Sequence, residues 1–484
     1  MKNILSKIRK KVKQSIADKR TSINSLVCNN AILKGCHRRD YYARLAEVDR
    51  INQHSRDASN SALRRDQWLI KQIEIKTNNV LTDEQIKEVN DYWAPYQFAY
   101  QNDYHQQEMY TAISGRFDPS YFGFGFQRYL MVRFWNHDSF KWIGEKNYTP
   151  LFFSDAKMPE TYMYNSAGLF YDSNRNLITK EKAIKILEEK IHSAEGNEAI
   201  IKPSGGGEGK NIVFLGQKES TEEVKSILES FGQDYICQKV IKNHPSFSAP
   251  YSRSVNTMRM YTFIWKDQIY YAGAVLRMGT SKRVDNWSQG GLACGITEEG
   301  KLMKYAFTET GKLYETHPVT GFRFEGHVLY RYTDAIELVK KLHGHIAQQK
   351  YISWDITVDE AGDLVLIELN SPGSHELLQM AGYQGYGNKT ITKEIFDEYL
   401  IRRFFINRAV FDWNYREFNN HVSLVDYCGF NTTVFVPKKI DGKPVIMLYE
   451  NAVKNRNVKK MIIPLSVHCE TSSYTDKGIE IERI

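Results

Sequence analysis

Trp354-Asp355-Ile356-Thr357-Val358 is followed, after the turn-forming run Asp359 to Asp363, by Leu364-Val365-Leu366-Ile367-Glu368-Leu369-Asn370. Two apolar runs of strand length around a Gly-containing turn predict a β-hairpin, Tyr351 to Val358 returning as Leu364 to Leu369. A strand alternates its faces every residue, so Glu368 and Asn370 share one face. Folding about Glu360 to Gly362 brings Asp355 opposite residue 367 or 368. Two carboxylates and an amide oxygen then converge in a setting of Ile, Leu and Val. Buried like charges repel and are costly to desolvate unless a cation sits between them. Oxygen-only donors point to Mg²⁺, which needs few protein groups when phosphates complete its octahedron. An edge hairpin with solvent-facing acids would carry the same pattern, so the reading needs a second site.

That site is Ile200-Ile201-Lys202-Pro203-Ser204-Gly205-Gly206-Gly207-Glu208-Gly209-Lys210. A strand ending in Lys and running into a glycine-rich loop forms a phosphate cradle: glycines let backbone N–H groups approach an anion that the lysine neutralises. It is not a Walker A loop, because Ser204 and Asn211 stand where Gly and Ser or Thr belong. It is not a dinucleotide fingerprint either, because Lys210 takes the place of the third glycine. A glycine-rich hairpin turn with a solvated lysine is the plain alternative.

Between the two lie Asn256-Thr257-Met258-Arg259, Arg277 at the end of the next strand, and Asp285-Asn286-Trp287-Ser288-Gln289-Gly290-Gly291. Arg259 falls inside an alternating strand, where a half-buried guanidinium requires an anionic partner such as a phosphate or carboxylate. Arg277 is placed similarly, and the loop after it brings polar donors toward the same region. A structural salt bridge would use either arginine equally well.

Outward from this region, the 484 residues are 42% apolar, enough for two or three packed domains. Thr82 with Gln85 and Ser220 with Glu223 are capping boxes, and Thr179 opens a further helix. The run Phe117 to Gly123 reads as a packed aromatic turn. Short strands recur from Phe411 to Ile484. Cys28, Cys36, Cys237, Cys294, Cys428 and Cys469 form no CxxC pair, so neither a zinc knuckle nor a disulfide framework is expected. Nearly all of the net charge of +8 lies in Met1 to Arg20, where eight Lys or Arg face Asp18 alone. Ile4, Ile8, Val12 and Ile16 would give a helix there an apolar stripe flanked by lysines, suited to an anionic membrane surface, to docking on the protein body, or to a frayed tail. The near-neutral remainder argues against nucleic acid as a partner. No run approaches a membrane span and no signal peptide is evident, so the expected location is the cytosol, with residues 1–20 available to the inner face of the cell membrane.

Taken in order, these strings resemble the ATP-grasp superfamily, and more narrowly its sugar-transfer-associated family, from about Asp91 to Tyr386. His317-Pro318-Val319-Thr320-Gly321 belongs to the resemblance. It implies an α+β fold in which two α+β lobes clamp ATP, residues 146–241 forming the smaller lobe and 242–402 the larger. Around them are expected a basic helix and polar helical lead-in (1–80), a helical subdomain (81–145) and a β-rich appendage (403–484). Lys146 and Lys202 match the nucleotide-binding lysines, with Ser204, Gly205, Gly206 and Gly207 as the phosphate loop. Gln238, Lys239 and Ile241 match the hinge that holds adenine, Gln238 departing from the more usual Glu. Asp355, Glu368 and Asn370 match the Mg²⁺ ligands. Arg277 and Asn286 resemble the arginine and asparagine that glutamate-adding ligases place near the γ-phosphate, and Arg259 joins them as an anion anchor.

The implied chemistry is ATP-dependent ligation of a carboxylate to an amine through an acyl phosphate, with ATP and Mg²⁺. The family's association with sugar transfer implies an acidic sugar or glycan as one substrate and an amino acid or amine as the other, in surface polysaccharide synthesis. A kinase acting on a sugar hydroxyl and a silent nucleotide-binding module are the alternatives. Substrate selectivity is expected from the His317 to Gly321 loop and the C-terminal appendage.

Overall fold

The computed structural model describes residues 57–484 apart from 78, 97–99, 101–103, 132–134, 137–141, 194–197, 206–210, 282, 372, 398–406, 411–412, 428–431, 441 and 455–457. The basic segment 1–20 lies outside the described residues. Among those described, no helix is long and apolar enough to cross a membrane.

The chain divides into two compact units, one of which comprises residues 61–94 and 100–395. It begins with helical residues 61–72 (α1), followed by α2 (Asp83–Trp93) and α3 (His105–Ser114). The Thr82 capping box closes as the sequence predicts: Gln85 N–H donates to Thr82 Oγ1 at 3.2 Å, and Thr82 N–H to Gln85 Oε1 at 3.0 Å.

A six-stranded sheet follows, built from β1 (Thr161–Ser166), β2 (Leu169–Asp172), β3 (Leu177–Ile178), β4 (Ala199–Pro203), β5 (Val213–Leu215) and β6 (Tyr235–Lys239) in the order β3-β2-β1-β6-β4-β5. Helices α4 (Lys180–Ile191) and α5 (Thr221–Phe231) cover one face. Their apolar stripes, Ala183, Leu187 and Ile191 with Val224 and Leu228, pack against Ile201, Leu215 and Cys237. Alternation leaves Ile200, Lys202 and Gln238 on the opposite face.

The larger sheet runs β11-β10-β9-β8-β7-β12-β13. Its strands are β7 (Thr257–Trp265), β8 (Gln268–Met278), β9 (Leu292–Ile296), β10 (Leu302–Phe307), β11 (Leu313–Tyr314), β12 (Tyr351–Val358) and β13 (Leu364–Asn370). Helix α6 (Tyr332–His345) buries Ala335, Val339 and Leu342 with Met258, Met260, Leu276, Trp354 and Ile356 from one face of this sheet. Against the other face, Leu69 of α1 and Met109, Tyr110 and Ile113 of α3 cluster with Val275, Ala293, Phe307 and Leu377, the last from α7 (Glu376–Met380). Cys237 and Cys294 are free and buried, and burial raises both thiols above their ordinary range.

The second unit includes residues 396–484. Its strands are β14 (Asn407–Val410), β15 (Trp413–Glu417), β16 (Val422–Tyr427), β17 (Thr433–Phe435), β18 (Lys439–Ile440), β19 (Lys443–Leu448), β20 (Lys460–Ile463), β21 (His468–Cys469) and β22 (Glu480–Arg483). They form one mixed sheet, β14-β15-β16-β19-β18 with β21 beside β19, and a parallel sheet β17-β20-β22. Trp413, Leu424, Val445 and Met461 lie in their shared core.

Trp354 is the largest side chain in the core of the larger sheet. It is fully buried, and its indole N–H donates to Thr262 Oγ1 at 2.7 Å, a hydroxyl that also meets His343 Nδ1 at 2.7 Å. Trp354→Ala should cost about 3–5 kcal/mol, read as a lowered denaturation midpoint by circular dichroism. An unchanged midpoint would place the unit's main core elsewhere.

Candidate functional site

The register of the central strands builds one wall of the site. On β12, Ile352, Trp354, Ile356 and Val358 enter the core under α6, so Ser353, Asp355 and Thr357 face the other way. Asp355 pairs with Arg259 on one side and Glu368 on the other. The next pair is Ile356 with Leu366, which leaves Ile367 as an extra residue in β13. This β-bulge reverses the alternation: Leu366 and Leu369 both enter the core, while Ile367, Glu368 and Asn370 line a cavity. An uninterrupted strand would have turned Glu368 to the same face as Leu366.

The cavity, about 910 Å³, is also lined by Lys146, Lys202, Gly205, Gln238, Lys239, Ile241, Arg259, Arg277, Asn286 and Asp355. Gly206 and Gly207 lie outside the described residues. Ser204, expected to hold phosphate, does not line the cavity. It is buried behind the loop, where its hydroxyl donates to Glu145 at 3.3 Å and its carbonyl accepts from Lys146 N–H at 2.9 Å.

Arg259 grips Asp355 with two donors, Nε to Oδ1 and Nη2 to Oδ2, the latter at 3.0 Å. Arg277 Nη2 reaches Oδ2 at 3.0 Å and lies 3.4 Å from Asp285. The two arginines, expected to meet a substrate anion, therefore meet Asp355, whose side chain is 1% exposed. Burial demands this pairing, because an unpaired carboxylate at that depth would be strongly penalised. Glu368 is more open, 21% exposed, and meets Lys146 Nζ at 3.1 Å. Burial alone would raise its carboxyl, but Lys146 and Lys202 hold it well below the usual carboxylate range. Burial, reinforced by the charge of Lys146, lowers Lys202 from 10.5 to about 8.

Residues toward a nucleotide are well matched. Ile200, Phe214, Val240 and Ile367 supply apolar lining. Gln238 donates through Nε2 to Thr161 at 3.1 Å, while its buried Oε1 has no partner, as an acceptor for an adenine amine would require. Lys239 N–H is bonded to Glu160 and Val240 N–H to Glu198. The donors toward Mg²⁺ are oxygens alone: Glu368 and Asn370 on the cavity face, with Asp355 beside them but held by two guanidiniums. Among the described residues, no three His, Cys, Asp or Glu side chains form a metal site by themselves.

Asn286 also serves a local role, its Oδ1 accepting from Ser288 N–H at 3.1 Å to cap the turn Trp287–Gln289. The preceding loop reaches the smaller sheet: Arg283 holds Glu198 at 2.9 and 2.6 Å and lies over the Phe214 ring. The His317 to Gly321 loop, expected to govern selectivity, is absent from the cavity lining. His317 is buried against Tyr251, accepts from the Val319 and Thr320 amides at Nδ1, and meets Gly279 carbonyl at 2.9 Å. An imidazole with both nitrogens occupied in a turn is structural. Sequence reasoning missed Arg65, Phe124 and Arg128, which line the cavity from elements before the hairpin region.

A family model described as sugar-transfer associated ATP-grasp matches residues 127–394, more than half of the chain. The chain belongs to the sugar-transfer associated ATP-grasp family. The matched segment of this ATP-grasp protein holds both lysines, both arginines, and the hairpin of Asp355 and Glu368. Solved structures similar to it include D-cycloserine synthetase DcsG, at 14% identity and a TM-score of 0.33, covering 54% of this chain and 71% of that one. D-alanyl-alanine synthetase A from Vibrio cholerae O1 biovar eltor is 10% identical with a TM-score of 0.32, covering 53% of this chain and 65% of that one. An L-amino acid ligase from Bacillus licheniformis is 10% identical with a TM-score of 0.28, covering 53% of this chain and 47% of its own. No curated protein matches the chain.

Two measurements probe this ATP-grasp site. Lys202 should be partly deprotonated near pH 8.5, and a bound phosphate would favour its ammonium form. ADP binding at that pH should then draw up to about one proton from the buffer, seen as a dependence of calorimetric heat on buffer ionisation enthalpy that Lys202→Met abolishes. Heats that stay the same across buffers of different ionisation enthalpy would contradict the assignment. Separately, Asp355→Ala strands two guanidiniums and should cost about 3–5 kcal/mol of stability, whereas Glu368→Ala, beside the cavity, should shift the unfolding midpoint much less. Equal losses would show that burial does not distinguish the two acids.

Proposed function

We propose that this protein is an ATP-dependent carboxylate–amine ligase that works through an acyl phosphate and joins an amino acid or amine to an acidic sugar or glycan during surface polysaccharide synthesis. The observation that carries this reading is the continuity of one cavity from the Gln238 acceptor, past Lys146, Lys202 and Glu368, to Arg277 and Asn286. Nucleotide phosphates at its middle would lie between an adenine site and room for a second molecule. The family's name supports the sugar or glycan.

Lys146 and Lys202 would neutralise the phosphates of ATP. Glu368 and Asn370 would hold Mg²⁺, which when bound offsets the charge on phosphate oxygens. Asp355 fixes Arg259 and Arg277 side by side, so that Arg277, at the cavity surface with Asn286, faces the carboxylate to be activated. Those fixed donors lower the cost of charge that builds during phosphoryl transfer, because they need no reorganisation when it occurs. The carboxylate oxygen attacks the γ-phosphorus, ADP leaves, and the amine then displaces phosphate to form the amide.

Purified protein incubated with ATP, Mg²⁺, sugar acids and amino acids should release ADP only when both an acid and an amine are present. Glu368→Gln and Lys202→Ala should each lower that rate by about a hundredfold or more. ADP release without an amine, accompanied by a stable phosphoester, would replace the ligase with a kinase. Wild-type rates in either variant would remove the site assignment.

A further inference from the structure

One end of the cavity is built by residues that the nucleotide does not need. Arg65, Phe124 and Arg128 come from the N-terminal helical region, Trp287 and Glu309 from the loops around β9 and β10, and Glu376 from the start of α7. The two guanidiniums flank the Phe124 ring, 5.2 Å from its centroid for Arg65 and 5.7 Å for Arg128. Arg65 also lies 4.2 Å from the Trp68 centroid. Among the described residues, neither arginine has an ion-pair partner. Aromatic faces hold the planar groups in place while leaving their N–H edges for an anion.

A carboxylate lines the same cavity. Glu376 is 7% exposed, lines the cavity, and has one side-chain oxygen, Oε2, with no hydrogen-bond partner. Burial raises its carboxyl to about 7, opposed by the charge of Arg65 and reinforced by that of Glu309. The charge of Arg65 thus acts on Glu376 with no hydrogen bond or ion pair between the two. A cationic group on a ligand would complete the carboxylate, and an anionic group would complete the arginines.

This arrangement is held by a separate acid. Asp66, adjacent to Arg65 on α1, accepts from Gly125 N–H at 2.6 Å, Phe126 N–H at 3.1 Å and Tyr100 hydroxyl at 2.7 Å. A β-carbon at Gly123 would stand 2.1 Å from the Asp66 carboxyl carbon, so the turn can approach only as glycine. Asp66 therefore ties Arg65 to Phe124 and Arg128 across some sixty residues of sequence.

We propose that this end of the cavity is the subsite for the amine substrate and that it takes a free α-amino acid as a zwitterion, the carboxylate at Arg65 and Arg128 and the ammonium at Glu376. A singly charged amine would leave the arginines unsatisfied, and a simple anion would leave Glu376 so; the pairing of both signs in one place selects a ligand that carries both. The identity of this molecule as the amine substrate rests on the ligase reading above, but its binding does not.

The test is binding of pooled L-amino acids to the full chain with ADP and Mg²⁺, by saturation-transfer nuclear magnetic resonance, beside a pool of their α-carboxamides. At least one amino acid should bind, and its amide should bind about tenfold more weakly or worse. Arg65→Ala and Glu376→Gln should each weaken the amino acid by a similar factor, with ADP binding in the same samples reporting that the protein is folded. No amino acid bound to wild type, amides bound as well as acids, or variants equal to wild type would each overturn the subsite. Amino-acid binding without amine-dependent ADP release would leave the subsite standing and remove the ligase reading alone.

Discussion

Asp355 cannot be ionised in the middle of the larger sheet unless cations come to it, and that requirement organises the site. Arg259 and Arg277 converge on its two oxygens from neighbouring strands. The result is a rigid fork with one guanidinium, Arg277, at the cavity wall. Glu368 stands across the strand pair but with access to the cavity, where it meets Lys146. Two carboxylates that look equivalent along the chain thus have different surroundings: one is enclosed by two arginines, the other opens on the cavity.

Local features were readable from the sequence because local physics sets them. The capping boxes at Thr82 and Ser220 close between residues three apart. The hairpin around Gly362 forms where turn chemistry and apolar runs agree. Lys202 and Gln238 face the cavity because strand alternation leaves them no other face once Ile201 and Cys237 are buried. The bulge at Ile367 was not readable, since a strand with an extra residue has the same composition as one without. What selects it is tertiary: Leu366 and Leu369 can both reach the core only if the alternation slips between them.

Where expectation and geometry part, the origin is the same. The His317 to Gly321 loop was expected to set selectivity, yet the His317 imidazole is spent on the amides of its own turn and on Gly279. Ser204 sits in a phosphate-loop sequence but points to Glu145. Arg65 carries no motif; its significance comes from Asp66 next to it, which fastens the helix to a glycine turn far along the chain. Contacts of that range leave no periodic trace.

Arg65 and Phe124 precede the segment that the family model covers, whereas the lysines, Arg277 and the hairpin lie within it. One cavity is thus walled from both sides of that boundary, and Asp66, bonded to Gly125 and Phe126, fastens α1 just ahead of where the matched segment begins.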